Sequence, residues 1–389
     1  MKNPILASLF LLLFFAACNN RDGKSTKTEK SVNTKKPNAA LTENFYKRLE
    51  GTIAGKTVVM HLQKLNGEVD GNYYYNGSWL NLMVDTLIGK DSLVFSEHSF
   101  NDYYFNENGN QAKLSFKWTG NGFKGNWMSG DKAKTYPVLL EEKYPEGSYE
   151  FTTGIFKDSV KAFADKPKSP VAEIGFEYLK AKANTEQGSW LDNQLKRISG
   201  IKKGNVSREI AFREIADTYF DDYRNEVVEE EKNNSDRGFL GWMNYTDDSQ
   251  QTIVYNDRGF VVIDFLADAY TGGAHGNYSS TMYCLDVENK KQMVLSDVVK
   301  IDSNTLQSIL EKNLRKQYNI KPGEKISTVL FDDFLKPNNN FYFNSNGLAF
   351  MYNPYEIASY AQGQIVIFIP FTELKPYVVP AFASRIGLK

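Results

Sequence analysis

From about residue 44 to residue 144 the chain alternates apolar and polar positions in short runs: Thr57–Gln63, Val69–Tyr75, Ser92–Ser96, Lys113–Trp118 and Gly122–Trp127. A period of two marks strands with one face buried, and the Gly, Asn and Asp clusters between them, such as Asn106–Asn110 and Thr119–Gly122, mark turns. The spacing predicts an antiparallel meander closing into a small barrel or sandwich. Gly71-Asn72-Tyr73 and Gly125-Asn126-Trp127 repeat one pattern, in which a glycine permits a bulge and an aromatic covers the core. Tyr73, Tyr75, Trp79 and Trp127 could instead line a ligand pocket, although aromatic residues in small barrels are more often packing.

Beyond Pro145 the pattern lengthens to a helical period in places. Val171–Lys180 and Ser207–Glu231 read as helices, the second with Phe212, Ile215, Tyr219, Tyr223 and Val227 along one face. Asp302 or Ser303 can cap a third, whose buried stripe is Leu306, Ile309, Leu310 and Leu314. Strand signals recur at 251–256, on both sides of a glycine loop at 270–278, and at 340–344, 347–352 and 364–369, with Asn346-Gly347 as a tight-hairpin signal. The expected form is one antiparallel sheet with helices packed on it. Residues 321–340 read as a loop with a short helix. The fold class is therefore α+β: an all-β region at 44–144, then an α+β region at 145–389.

The N-terminus speaks to compartment. Lys2 precedes an apolar run from Ile5 to Phe15, and Phe15-Ala-Ala-Cys18 closes it, the pattern of a secretory signal (residues 1–18) with a lipoprotein cleavage site. The run is well short of the ~20 residues needed to cross a bilayer as a helix. Cys18 is then the lipidated residue, and the membrane partner is reached through its acyl chains. Residues 19–43 carry Arg21, Lys24, Lys27, Lys30, Lys35 and Lys36 among small polar residues, a flexible basic leash. No acidic cluster follows Cys18, so the expected location is the outer membrane, facing the periplasm.

Composition narrows function by exclusion. A net charge of -1 gives no reason to expect a nucleic-acid partner. With Cys18 lipidated, Cys284 has no partner in the chain and is expected to be a buried thiol. No Cys/His cluster has zinc spacing, and neither metal nor cofactor is expected. Aromatics reach 14%, which suits both β structure and amphipathic binding surfaces.

Of three histidines, His61 and His98 sit on strand-like segments and read as structural. His275 lies in Tyr270-Thr-Gly-Gly-Ala-His-Gly-Asn-Tyr278, where Gly272 and Gly273 force a sharp turn and leave the imidazole little cover. Ser279, Ser280 and Asp268 lie close in sequence, but no nucleophile-elbow motif accompanies them. The loop opens no helix and holds no lysine, which argues against phosphate cradling.

This loop, the following Lys291–Val299, and the later Gly347–Gly363 with Ile365–Pro370 resemble the extracytoplasmic C-terminal domain of RsiV-type anti-sigma factors. The same region is similar to the non-catalytic part of PdaC-type peptidoglycan deacetylases. The resemblance spans roughly residues 245–378, with a weaker upstream portion from about 146. It implies recognition of lysozyme or envelope glycan outside the cell. Neither a cytoplasmic sigma-binding segment nor the Asp and His pattern of a deacetylase is recognisable.

The reading is thus an envelope lipoprotein that recognises a protein such as lysozyme, or a peptidoglycan-derived glycan. The candidate surface is Tyr270, Gly272, Gly273, His275 and Tyr278 with Tyr352, Tyr355, Glu356 and Tyr360. The alternatives are a glycan hydrolase or deacetylase using His275, and a small-ligand carrier using the N-terminal barrel.

Overall fold

The computed structural model describes residues 40–75, 78–88, 91–99, 110–202, 204–233 and 241–388. The signal segment, Cys18, most of the basic leash and most of the Asn106–Asn110 turn lie outside the described residues.

Eight strands form a closed antiparallel barrel: β1 (Phe45–Ile53), β2 (Lys56–Leu65), β3 (Glu68–Tyr75), β4 (Ser78–Ile88), β5 (Ser92–Ser99), β6 (Lys113–Trp118), β7 (Gly122–Met128) and β8 (Thr135–Glu142). Closure comes from β1 pairing with β8, Leu49 opposite Glu142. Alternation fills the interior with Leu49, Met60, Leu62, Phe95, Leu114 and Phe123. Gly125 permits the crowding at β6, since a Cβ there would stand 1.9 Å from the Ser115 carbonyl oxygen. The two Gly-Asn-aromatic repeats converge: Tyr73 donates its hydroxyl to Glu97, and Trp127 Nε1 donates to the same carboxylate at 2.8 Å. Trp79 instead packs edge-on against Tyr342 and Phe368, so the four aromatics do not share one pocket.

The next elements are β9 (Phe151–Lys161), β10 (Val171–Ala181), α1 (Glu186–Ile198), α2 (Arg208–Asn233), β11 (Tyr245–Asp257), β12 (Phe260–Tyr270), β13 (Asn277–Asp286) and β14 (Lys291–Gln292). They build a six-stranded sheet in the order β14-β13-β12-β11-β10-β9. The expected helix at 171–180 is strand β10. Its apolar residues fit either period, and flanking strands on both edges bury nearly its whole length, an environment in which continuous apolar runs are strands. The β10–β11 pair is parallel because α1 and α2 supply the crossover that such a pair requires. The predicted face of α2 is seen in Phe212 and Tyr223, buried against Phe176 and Tyr245 respectively.

After α3 (Leu295–Val298) and α4 (Ser303–Gln317, capped by Asp302) come β15 (Phe341–Phe343), β16 (Gly347–Tyr352), β17 (Ile365–Pro370), α5 (Phe371–Leu374) and α6 (Pro380–Ile386). These three strands form their own sheet, so the single sheet expected from sequence is two. Asparagine side chains explain the break. Asn340 accepts from Met282 N and donates to the Ser280 carbonyl, and Asn353 accepts from Ser280 N. The edge of β13 at Ser280 and Met282 is thereby satisfied by amide side chains, and a strand joins it only further on, where β14 pairs at Leu285 and Asp286.

Residues 38–389 form one compact unit. Buried polar groups join barrel to sheet: Arg48 Nε donates to the Asn256 carbonyl at 2.8 Å, and Gln63 Nε2 to the Gln251 carbonyl at 2.6 Å. His61 lies in this seam, 1% exposed, its Nδ1 accepting from Tyr46 Oη. Cys284 is buried, and burial pushes its thiol up. No helix among the described residues is long and apolar enough to cross a membrane.

Candidate functional site

Strands β12 and β13 run antiparallel to Ala269 opposite Asn277, and the loop between them carries His275. Gly272 and Gly273 take φ values of +92° and +96°, which side-chain-bearing residues rarely adopt. Tyr270 closes the loop by donating its hydroxyl to the Gly273 carbonyl at 3.0 Å. The exposed ring of Trp242 lies against Gly272, where a Cβ would stand 3.4 Å from the indole.

A second loop follows β16. Asn353 N donates to Glu356 Oε2 at 2.9 Å, and Tyr355 N to the Ala358 carbonyl at 3.1 Å, winding Asn353–Ala358 into a tight turn. Tyr355 sits at its apex with φ +67° and 54% of its surface exposed. A tyrosine held in left-handed backbone is strained, and such strain collects where a side chain must be aimed. Asn353 binds the Ser280 main chain, which brings this loop alongside the first.

The two loops meet through their aromatic rings. His275 stacks on Tyr360 with centroids 4.0 Å apart, and the Tyr355 ring lies nearly parallel to it at 6.4 Å. Tyr278 meets Tyr360 edge-on at 5.9 Å. His275 Nδ1 lies 2.7 Å from the Gly276 carbonyl, which can only accept, so Nδ1 carries hydrogen. In the neutral ring Nε2 then accepts from Tyr355 Oη at 3.3 Å. Both ring nitrogens are engaged by a carbonyl and a phenol, and neither by a serine or carboxylate.

The structure therefore brings Tyr270, Gly272, Gly273, His275, Tyr278, Tyr355 and Tyr360 together. Tyr352 and Glu356 stand apart from the stack. Tyr352 is buried and donates to the Lys336 carbonyl, and Glu356 accepts from Asn338 Nδ2 and Asn353 N. Both line a separate cleft of about 340 Å³ with Phe334 and Lys336. Trp242, Phe331 and Phe334 are exposed aromatics that sequence reasoning missed, because each lies outside the strand runs and no periodicity marks it. Among the described residues no group of three or more His, Cys, Asp or Glu side chains could hold a metal ion.

Barrel, mixed sheet and aromatic surface together define an α+β protein. Residues 296–372 match the family model described as "Protein of unknown function (DUF3298)". A crystal structure of a DUF3298 family member from Bacteroides fragilis is similar with a TM-score of 0.56 and 21% identity, covering 62% of this chain and 98% of that one. A DUF3298 family protein from Pseudomonas aeruginosa PAO1 aligns with a TM-score of 0.43 and 16% identity, over 61% and 98% of the two chains. No curated protein matches. At these identities the Bacteroides fragilis structure speaks to shared fold alone.

Proposed function

We propose that the chain is an envelope lipoprotein, anchored through Cys18 and facing the periplasm, that acts as a recognition module of the RsiV and PdaC type. Its aromatic surface binds a protein such as lysozyme, or a peptidoglycan-derived glycan. The observation that carries this reading is the stack of exposed His275 and Tyr355 with half-buried Tyr360, assembled from two loops 80 residues apart. Flat aromatic faces beside hydrogen-bonding hydroxyls suit both protein hot spots and sugar rings. The two contacts made by the imidazole leave it no proton-transfer partner of the kind a hydrolase needs, which favours binding over catalysis.

Titration calorimetry of the protein against lysozyme and against muropeptides tests the proposal. Saturable binding that weakens about tenfold or more in His275→Ala, the loss of roughly 1.4 kcal/mol typical of an interface anchor, supports it. Equal binding by wild type and His275→Ala at equal melting temperature removes the stack from the binding surface.

A further inference from the structure

A second cleft, of about 320 Å³, opens where β3 and β4 of the barrel meet β11, β12 and β13, with β16 and β17 on its far side. Trp79, Tyr342, Met282 and Val366 give it an apolar wall. Its polar groups come from separate elements: Asp70 and Asn72 on β3, Asn81 on β4, Thr252 on β11, Asp264 on β12, Gln317 ending α4, and Gln364 just before β17. Among the described residues no lysine, arginine or histidine lines it.

The amides and the threonine hydroxyl can donate as well as accept, whereas the two ionised aspartates only accept. Asn72 is 7% exposed, and its Oδ1 is buried without a donor among the described residues; the same holds for Asp264 Oδ1. Gln317 spends an amide hydrogen on the Val366 carbonyl at 2.8 Å, and Gln364 spends one on Asn353 Oδ1 at 3.1 Å. Buried acceptors are normally answered by donors, so two unanswered ones, on β3 and β12 of one cleft, mark a place built for something else to occupy.

We propose that this cleft binds a small organic cation, an aliphatic amine or amino sugar, whose ammonium donates to Asp264 and Asn72 while its carbon skeleton lies on Trp79 and Tyr342. An ammonium has three donors and no acceptor, the complement of the two carboxylates. Aromatic faces add cation–π attraction. An anion would meet only like charge. A neutral ligand would leave the carboxylate uncompensated. The wider field agrees, since Glu68 on β3 and Glu177 on β10 both bear on Asp70, and Asp70 bears on Asp264. Burial first, then these neighbours, push both aspartates up to about 6, against a Ser280 hydrogen bond that pulls Asp264 down, and a bound cation draws them down again. Affinity therefore falls as the pH drops below about 6. The site uses other elements than the His275 surface and stands independently of the function proposed for it.

The test is calorimetry of the full chain with cadaverine, glucosamine and N-acetylglucosamine, whose acetylated nitrogen carries no charge. The expected result is saturable binding of the two amines at pH 7.5. Binding is at least tenfold weaker for N-acetylglucosamine and for the amines at pH 5, and is lost in Asp264→Asn. That substitution keeps the volume and removes a buried charge, so the variant folds; Asp70→Asn serves as a second, partial-loss variant. Absence of amine binding overturns the proposal. So does N-acetylglucosamine binding as tightly as glucosamine, or Asp264→Asn binding cadaverine like the wild type.

Discussion

The side-chain amide of Asn353 grips both main-chain polar groups of Ser280, its Oδ1 accepting from the N–H at 2.8 Å and its Nδ2 donating to the carbonyl at 3.1 Å. This pair fixes the Tyr355 turn against β13 and so sets the distance between His275 and its tyrosines. Asn353→Ala leaves the Ser280 N–H without its acceptor, at a cost of about 1–3 kcal/mol. It also frees the turn. With only three histidines in the chain, proton NMR can follow the imidazole directly. The His275 ring protons are expected to lose the upfield shift imposed by Tyr360; an unchanged shift would show that the stack does not depend on this anchor.

Tyr355 separates binding from stability. Its φ of +67° strains any residue with a Cβ, whereas glycine adopts it freely. Tyr355→Gly is expected to hold its stability within about 1 kcal/mol of wild type, relief of strain offsetting the added freedom of the unfolded chain. Ligand binding is expected to fall by about tenfold. Thermal unfolding and calorimetry on one preparation check both, and a variant that loses stability without losing affinity would assign Tyr355 to packing.

Asp264 controls a pH-dependent component of stability. Burial raises its folded-state value from 3.8 to about 6, so the folded chain holds this proton more tightly than the unfolded one. The resulting stabilisation is present below pH 4 and is lost as pH rises through 6. Asp264→Asn is therefore expected to be more stable than wild type by about 1–3 kcal/mol at pH 7.5, the difference shrinking toward pH 4. Urea unfolding across that range measures it, and a difference independent of pH would contradict the assignment.

Much of this architecture was legible in the chain. The alternation at Thr57–Gln63 and Lys113–Trp118, the stripe of α2, the Asp302 cap and the strand–loop–strand around His275 are local signals, and local physics decides them. Strand β10 was not legible, because Ile174, Phe176 and Leu179 fit two periods and only the neighbours β9 and β11 choose between them. The division into two sheets depended on where Asn340 and Asn353 would point, which no spacing encodes. The meeting of His275 with Tyr355 and Tyr360 could be posed as a condition from sequence, but the polar groups of the second cleft could not. They come from the barrel, β12, α4 and the approach to β17, and only the packed chain gathers them.

Arg48 is the most demanding residue of the seam. Its side chain is 1% exposed, pairs with Glu50 and Asp257 at 2.7 and 3.3 Å, and donates to the carbonyls of Lys143 and Asn256. Removing one partner of a buried pair leaves the other charge stranded, so Arg48→Ala is expected to cost about 3–5 kcal/mol. Arg48→Met with Asp257→Asn removes both charges and is expected to recover a large part of that loss, because an apolar replacement of similar volume is often neutral. A double-mutant cycle by denaturant unfolding decides it; additive losses would mean that Arg48 acts through its carbonyl bonds rather than through Asp257.

His61 opposes Asp264 in the pH profile. Burial first, then the charge of Arg48, hold its folded-state value well below 6.5, so the imidazole is neutral in the seam, its Nδ1 accepting a hydrogen bond from the Tyr46 hydroxyl at 2.9 Å. In the unfolded chain the ring takes up a proton below pH 6.5, and the folded chain cannot follow. Stability from this group is present above that pH and is lost as pH falls, by up to about 1.4 kcal/mol per unit. Between pH 6 and 4 the two groups act in opposite directions, and the wild-type profile there is expected to be flatter than either alone. His61→Gln keeps an acceptor for Tyr46 and removes the titration, so its stability is expected to rise relative to wild type as pH falls below 6.5. A constant gap between the two proteins from pH 7.5 to pH 5 would show that His61 is protonated in the fold and that the seam accommodates the charge.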